Sequence, residues 1–289
     1  MFKNHVLTFH VIDDSAWWES LIISLKKRFT MVSMEDIERY YYNGTKLKKS
    51  CHITFDDGHK SLYDNVFPIV KKHNIPISVY VSPKIISEQT NFWFQEVDGF
   101  EKEKVLGIIS EHFSGNTEKY KEHRLKNIFK SFSINDIHTI INHYRKDYNL
   151  EAKPYQNITK EQMLEMQESG LVTFGAHTLN HPVLPNESDE TAEYEIGKSI
   201  EWLAELTGRP VKYWAFPNGD CTHRDVGLLK KFNIKLGFST KFGTRFHRDA
   251  NPLLIPRTGF TYGSKNYLLL KMLFGKYWDK MRALKNKVT

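Results

Sequence analysis

The segment 51–61, CHITFDDGHKS, ends a short apolar run in two adjacent carboxylates, Asp56 and Asp57, followed at once by Gly58. Neighbouring side chains on a regular strand point to opposite faces, so two such acids share one site only if the backbone turns where the strand stops. Gly58 permits that turn, because glycine enters conformations that other residues avoid. A solvated Asp-Asp-Gly turn is the alternative use of the same residues. A second segment, FGAHTLNHP, sets His177 and His181 four apart after another β-like run, and Pro182 argues against a continuing helix. Imidazoles at this spacing can converge on one ion, although an isolated H-x-x-x-H pattern carries little weight. Two imidazoles with one or two carboxylates describe a divalent-cation site, provided the fold brings both segments to one place.

A third segment, YWAFPNGD at 213–220, also stands where a strand gives way to a turn. Pro217 and Gly219 shape a loop whose amides could face the same rim. Trp214 or Tyr213 could stack on a sugar ring there, although such aromatics more often belong to a core.

The order of elements supplies the common place. Strands are predicted in HVLTFHVI, CHITF, IPISVYVS, LVTFGAH, VKYWAFP and IKLGFST. Between them, helices are predicted in MEDIERYYY, opened by a Ser33–Asp36 capping box, and in SLYDNVFPIVKKHN. KEQMLEMQES, capped by Thr159 and Gln162 and ended at Gly170, the long amphipathic DETAEYEIGKSIEWLAEL, and DVGLLKKF complete the set. Strand–helix alternation with short links predicts a parallel α/β sheet or barrel. In such folds residues just past the carboxyl ends of strands gather on one face, where both the Asp-Asp-Gly and H-x-x-x-H segments fall. Residues from about 92 to 157 break the rhythm with helical patterns and no strand, and predict an insertion. It either covers apolar surface or walls a substrate groove.

With 289 residues, 40% of them hydrophobic, the chain can bury a large core. No apolar run reaches signal-peptide length or the roughly 18 residues of a membrane span, which predicts a soluble, cytoplasmic protein. Cys51 and Cys221 are too few for a disulfide framework, so any metal must be held by histidines and carboxylates. The net charge of +7 resides almost wholly in residues 264–289, where seven basic residues face only Asp279. No nucleic-acid recognition motif accompanies that charge. Residues 1–263 are therefore expected to form the barrel, and 264–289 a basic amphipathic helix. Its stripe of Tyr267, Leu270, Phe274, Trp278 and Met281 either packs on the barrel or docks peripherally at the inner, acidic face of a membrane.

These segments resemble the motifs of the polysaccharide deacetylases, the carbohydrate esterases with a NodB-homology domain. TFDDG is similar to that family's first motif, HTLNHP to its second, and FPNG to a variant of its third. The likeness runs in order from about Val6 to Arg257, interrupted by the insertion. It implies a distorted (β/α) barrel of about seven parallel strands and divalent-metal-dependent removal of an N- or O-acetyl group from a sugar, usually with zinc. It further implies Asp57, His177 and His181 as metal ligands, Asp56 as general base, and a substrate loop around Pro217 in which the amide of Asn218 stabilises the oxyanion. The physics agrees, because a dication on one carboxylate and two neutral imidazoles keeps positive charge and acidifies bound water.

Two departures stand out. The family's third motif often carries an arginine that orients the base, and Ala215 occupies that position here. Its final leucine-rich motif often ends in a histidine, the proposed general acid, for which LLIPRTGF has no counterpart. Arg257 could orient the base instead, or serve as a structural or surface arginine. No residue is identified as the acid: His223 and His247 are near only in sequence, and His10 reads as structural. The expected function is a metal-dependent deacetylase acting on an N-acetylated sugar of a polysaccharide, oligosaccharide or lipid-linked precursor. A related C–N hydrolase on a small non-sugar amide and a catalytically inactive carbohydrate-binding protein are the alternatives. Retention of Asp56 favours an enzyme, since binding alone needs no base.

Overall fold

The computed structural model describes residues 3–113, 117–240, 245–260, 266–270 and 272. One parallel sheet holds β1 (His5–Phe9), β2 (Thr30–Met31), β3 (Ser50–Asp56), β4 (Ile77–Val81), β5 (Val172–Ala176), β6 (Tyr213–Ala215), β7 (Leu236–Ser239), β8 (Ile255–Pro256) and β9 (Thr258–Gly259). Their order is β8-β7-β6-β5-β4-β3-β1-β9, with β2 attached to β3. Only Arg257 separates β8 from β9, yet β8 pairs with β7 and β9 with β1. The segment 255–259 therefore ties the two ends of the sheet together. Arg257 N donates to Ser239 O at 2.8 Å, and Phe260 N donates to Thr8 O at 3.1 Å. Counting that segment once and setting β2 aside gives seven staves of a nearly closed barrel, as the resemblance implied.

Period-two alternation assigns each strand residue to one of two cores. Leu7, Phe9, Cys51, Ile53, Phe55, Val79 and Ala176 face outward, into an apolar layer shared with Trp18 and Leu21 of helix Ser15–Lys26 and Ile196 of helix Asp189–Thr207. Val6, Tyr80, Tyr213, Ala215, Leu236 and Phe238 point inward and fill the barrel together with Phe246. The capping boxes at Ser33 and Thr159 form as expected. SLYDNVFPIVKKHN is helical but begins with a π-turn over Leu62–Val66, because Pro68 has no N–H to offer an ordinary helical bond.

Between β4 and β5 the described residues contain helices and no strand. Trp93, Val105, Ile109, Ile128, Phe129, Ile137 and Ile141 form a separate apolar core there. Two of the insertion's helical patterns, EVDGFEKEKVLGIISEHF and EKYKEHRLKNIFKSF, give shorter helices than they suggest. Gly99, at φ 88°, interrupts the first between Trp93–Glu96 and Lys102–His112, and extended backbone at Arg124 divides the second into a turn at Thr117–Tyr120 and helix Leu125–Phe129. Of the tail, Leu268, Leu269 and Met272 pack into the outer apolar layer while Tyr267 and Leu270 are exposed. Phe274, Trp278 and Met281 lie outside the described residues. Among the described residues no helix is long and apolar enough to cross a membrane.

Candidate metal centre and active site

Asp56 is the last residue of β3 and follows His52 and Thr54 on the strand's inward face. Asp57 and Gly58 then both take left-handed backbone, at φ 71° and 72°, so the turn involves the second aspartate itself and not glycine alone. A non-glycine residue held there costs on the order of 1 kcal/mol, strain typical of functional sites. The surroundings impose it: Asp57 N donates to Tyr80 O at 2.9 Å, and Ile158 N, where the insertion returns, donates to Gly58 O at 2.8 Å. A Cβ on Gly58 would meet Val81 Cγ1 at 3.2 Å. Both carboxylates thereby reach one rim, which answers how adjacent acids share a site.

His177 follows β5, and its Nδ1 lies 2.7 Å from the carbonyl of Ala215. A carbonyl only accepts, so Nδ1 carries the proton and Nε2 presents a lone pair. Left-handed backbone at Thr178 (φ 65°) and His181 (φ 58°) winds the intervening loop back on itself. As a result Nε2 of His177 and Nε2 of His181 stand 3.6 and 3.5 Å from Asp57 Oδ1. All three side chains are buried, and each offers one ligand atom within 4.8 Å of the others. Among the described residues Asp57 Oδ1 and His181 Nδ1 find no hydrogen-bond partner. Zinc bonds of roughly 2.0–2.1 Å at tetrahedral angles set ligand atoms about 3.3 Å apart, so the donor set fits a divalent cation. Burial pushes the Asp57 carboxyl up, and burial followed by the proximity of His177 holds His181 well below the usual imidazole range. A buried acid drifting toward neutrality beside the uncharged imidazole of His181 is the electrostatic setting a cation would complete.

Beside this cluster, Asp56 is clamped. Arg257 Nη1 and Nη2 donate to Asp56 Oδ1 and Oδ2 at 2.6 and 2.7 Å, and Nη1 also reaches Thr54 Oγ1 at 3.1 Å. Burial works to raise the Asp56 carboxyl, but the Arg257 charge overcomes it and holds the group well below the ordinary carboxylate range. The arginine that grips Asp56 thus comes from the closing segment and not from the β6 position that Ala215 holds. Sequence reasoning missed His10, whose Nε2 lies 3.9 Å from Asp56 Oδ2 with its side chain 52% exposed. The signal was present, since Val6, Thr8 and His10 alternate with outward Leu7 and Phe9.

The third segment divides by the same parity. Trp214 is fully buried in the outer layer against Phe216 and cannot stack on a sugar, which corrects that expectation. Tyr213 points inward and donates to Glu38 Oε2 at 2.6 Å. Pro217 is buried, Asn218 is left-handed at φ 57°, and a Cβ on Gly219 would meet Thr240 Oγ1 at 2.1 Å. The loop 217–219 starts two residues past the carbonyl that receives His177. His223 and His247 are exposed and bonded to neither aspartate. The insertion, by contrast, reaches the centre: Trp93 Nε1 donates to His181 O at 2.9 Å, and Phe92 and Phe94 stand edge-on to the His181 ring at 5.6 and 5.0 Å.

Fold and site together define an α/β-barrel protein with a three-residue candidate metal centre at the carboxyl ends of its strands. Its sequence matches the polysaccharide deacetylase family model over residues 43–237, and the chain belongs to that family. It is 22% identical over 256 residues to the poly-beta-1,6-N-acetyl-D-glucosamine N-deacetylase of Staphylococcus aureus, covering 86% of this chain and 65% of that protein. A Staphylococcus epidermidis protein of the same name is 24% identical over 234 residues, covering 78% of this chain and 60% of its own length. The chain therefore spans somewhat less than two thirds of these relatives. Among solved structures, IcaB from Ammonifex degensii aligns with a TM-score of 0.65 at 18% identity, over 94% of this chain and 97% of that one. The Streptococcus pyogenes deacetylase PplD, solved with acetate, aligns with a TM-score of 0.64 at 19% identity, over 93% and 98%. Those likenesses establish the shared fold.

Proposed function

We propose that this chain is a metal-dependent hydrolase that removes acetyl groups from N-acetylated sugar residues of a polysaccharide. A β-1,6-linked N-acetylglucosamine polymer, the substrate named for its sequence relatives, is the first to test. The observation that carries the reading is the buried Asp57–His177–His181 cluster beside an aspartate kept ionised by Arg257.

In this reading Asp57 Oδ1 and the two Nε2 atoms hold one divalent cation, zinc being favoured by the imidazoles. The ion supplies Lewis acidity toward the acetyl carbonyl and toward water. Asp56 takes the proton of the attacking water. Its depressed basicity would be offset by the acidity that a bound cation lends to water, while Arg257 keeps the carboxylate free to accept at any physiological pH. Arg257 acts through Asp56 and is a positioning residue. The amide of Asn218, in the loop that Pro217 shapes, faces the developing oxyanion. His10 delivers a proton to the sugar nitrogen as the C–N bond breaks, so that acetate and a free amine leave. Acetate release from β-1,6-linked N-acetylglucosamine oligomers, chitooligosaccharides and a small N-acetyl amide, before and after chelation and zinc return, tests the proposal. Zinc-restored turnover of an oligosaccharide is expected; turnover of the small amide alone, or none, contradicts it.

A further inference from the structure

The loop between the two candidate histidine ligands is held from behind by a residue that no sequence motif singled out. Leu179 N and Asn180 N each donate to Glu195 Oε2 at 2.9 Å, and Asn180 Nδ2 donates to Oε1 at 2.6 Å. Glu195 lies within helix Asp189–Thr207 and is 2% exposed. Among the described residues, no cation stands within ion-pair distance of it. Burying a carboxylate without a counterion costs several kcal/mol unless hydrogen bonds replace its water. The helix itself does not ask for one, since Ala192, Ile196 and Leu203 already pack it onto the barrel. The loop does. With Thr178 and His181 both left-handed, its amides cannot enter a regular ladder and need acceptors from elsewhere. Ser82 Oγ and Trp93 Nε1 secure the carbonyls of His177 and His181, and Thr178 Oγ1 accepts from His181 N. Glu195 takes the donors left between them.

We propose that Glu195 is a positioning residue of the metal centre: by gathering three N–H donors of the 178–180 loop, it fixes how His181 Nε2 meets Asp57 and so sets metal affinity. The inference rests on the metal reading given under the proposed function. Both oxygens accept, and methionine, close to glutamate in length but without a strong acceptor, leaves all three N–H groups unanswered. Outer partners of metal ligands typically contribute roughly 10–100-fold to affinity.

The test is zinc affinity, measured by competition with a chromophoric chelator, alongside the melting temperature of the metal-free protein. Glu195→Met is expected to weaken zinc binding roughly 10–100-fold. Leu203→Ala, on the same helix but away from the loop, should lower the melting temperature while leaving zinc affinity unchanged. Asn180→Ala removes a single donor and should weaken zinc binding several-fold, which keeps the inference testable if Glu195→Met does not fold. Wild-type affinity in Glu195→Met or in Asn180→Ala overturns the inference, as does equal weakening in Leu203→Ala. Wild-type protein that binds no zinc overturns the metal reading itself, a distinct result.

Discussion

Replacing Arg257 by leucine strips the counterion from Asp56 while keeping most of the buried volume. Asp56 is 3% exposed, loses both of its short guanidinium bonds, and among the described residues keeps a hydrogen bond from Thr8 Oγ1 at 3.4 Å and the His10 imidazole at 3.9 Å, because Thr54 Oγ1 donates elsewhere, to Leu7 O. Breaking a buried pair in this way costs about 3–5 kcal/mol. At roughly 2 °C per kcal/mol for a chain of this size, the melting temperature should drop by about 6–10 °C. The pH dependence is more diagnostic. In the wild type the folded carboxyl lies below its ordinary value of 3.8, so the pair's contribution is present above that value and lost as pH falls toward the folded one. In Arg257→Leu burial raises the folded carboxyl above the ordinary value, so stability declines as pH climbs through the raised value. The gap between the two proteins therefore widens from about pH 4 to about pH 8. Urea unfolding of both metal-free proteins at these two pH values measures it. A gap below about 1 kcal/mol at neutral pH, or one of equal size at both, would refute the clamp as the cause of Asp56 ionisation.

Three further outcomes follow from the same geometry. Asp56→Asn should keep its zinc and lose roughly 100-fold or more in kcat, whereas Asp57→Asn should lose zinc affinity as well; metal analysis with kinetics separates them. His10→Gln should lose roughly 100-fold in kcat on an N-acetyl sugar yet stay near wild type on an aryl acetate, whose leaving group needs no proton; parallel loss on both substrates counts against the acid role. Trp93→Phe keeps the ring against Phe129 but removes the donor to His181 O, which should cost about 1 kcal/mol of stability and a few-fold in zinc affinity, read by unfolding and chelator competition.

Sequence reasoning reached the features that local patterns encode and stopped where long-range geometry takes over. Alternating strands and helices, the capping boxes at Ser33 and Thr159, and the clustering of Asp56, Asp57, His177 and His181 at strand ends were all legible from spacing. Trp214 was misread because its neighbourhood in the chain says nothing of parity. Once Tyr213 and Ala215 face inward, residue 214 must face the outer layer. The same parity, applied to Val6 and Thr8, would have carried His10 to the rim. Arg257 stayed open because its partner is 201 residues away, and only the closure of the barrel by segment 255–259 brings them together. The contact of Trp93 with His181 was likewise invisible, since it depends on how the insertion folds back over the barrel.

The central claim is that Asp57, His177 and His181 hold one divalent cation at the carboxyl ends of the barrel strands. A crystal structure of zinc-loaded protein, with anomalous diffraction recorded on both sides of the zinc absorption edge, tests it most directly. The account predicts one strong edge-dependent peak about 2 Å from Asp57 Oδ1 and from Nε2 of both histidines. A protein that shows no peak there, or one bonded to Asp56 in place of Asp57, would contradict it.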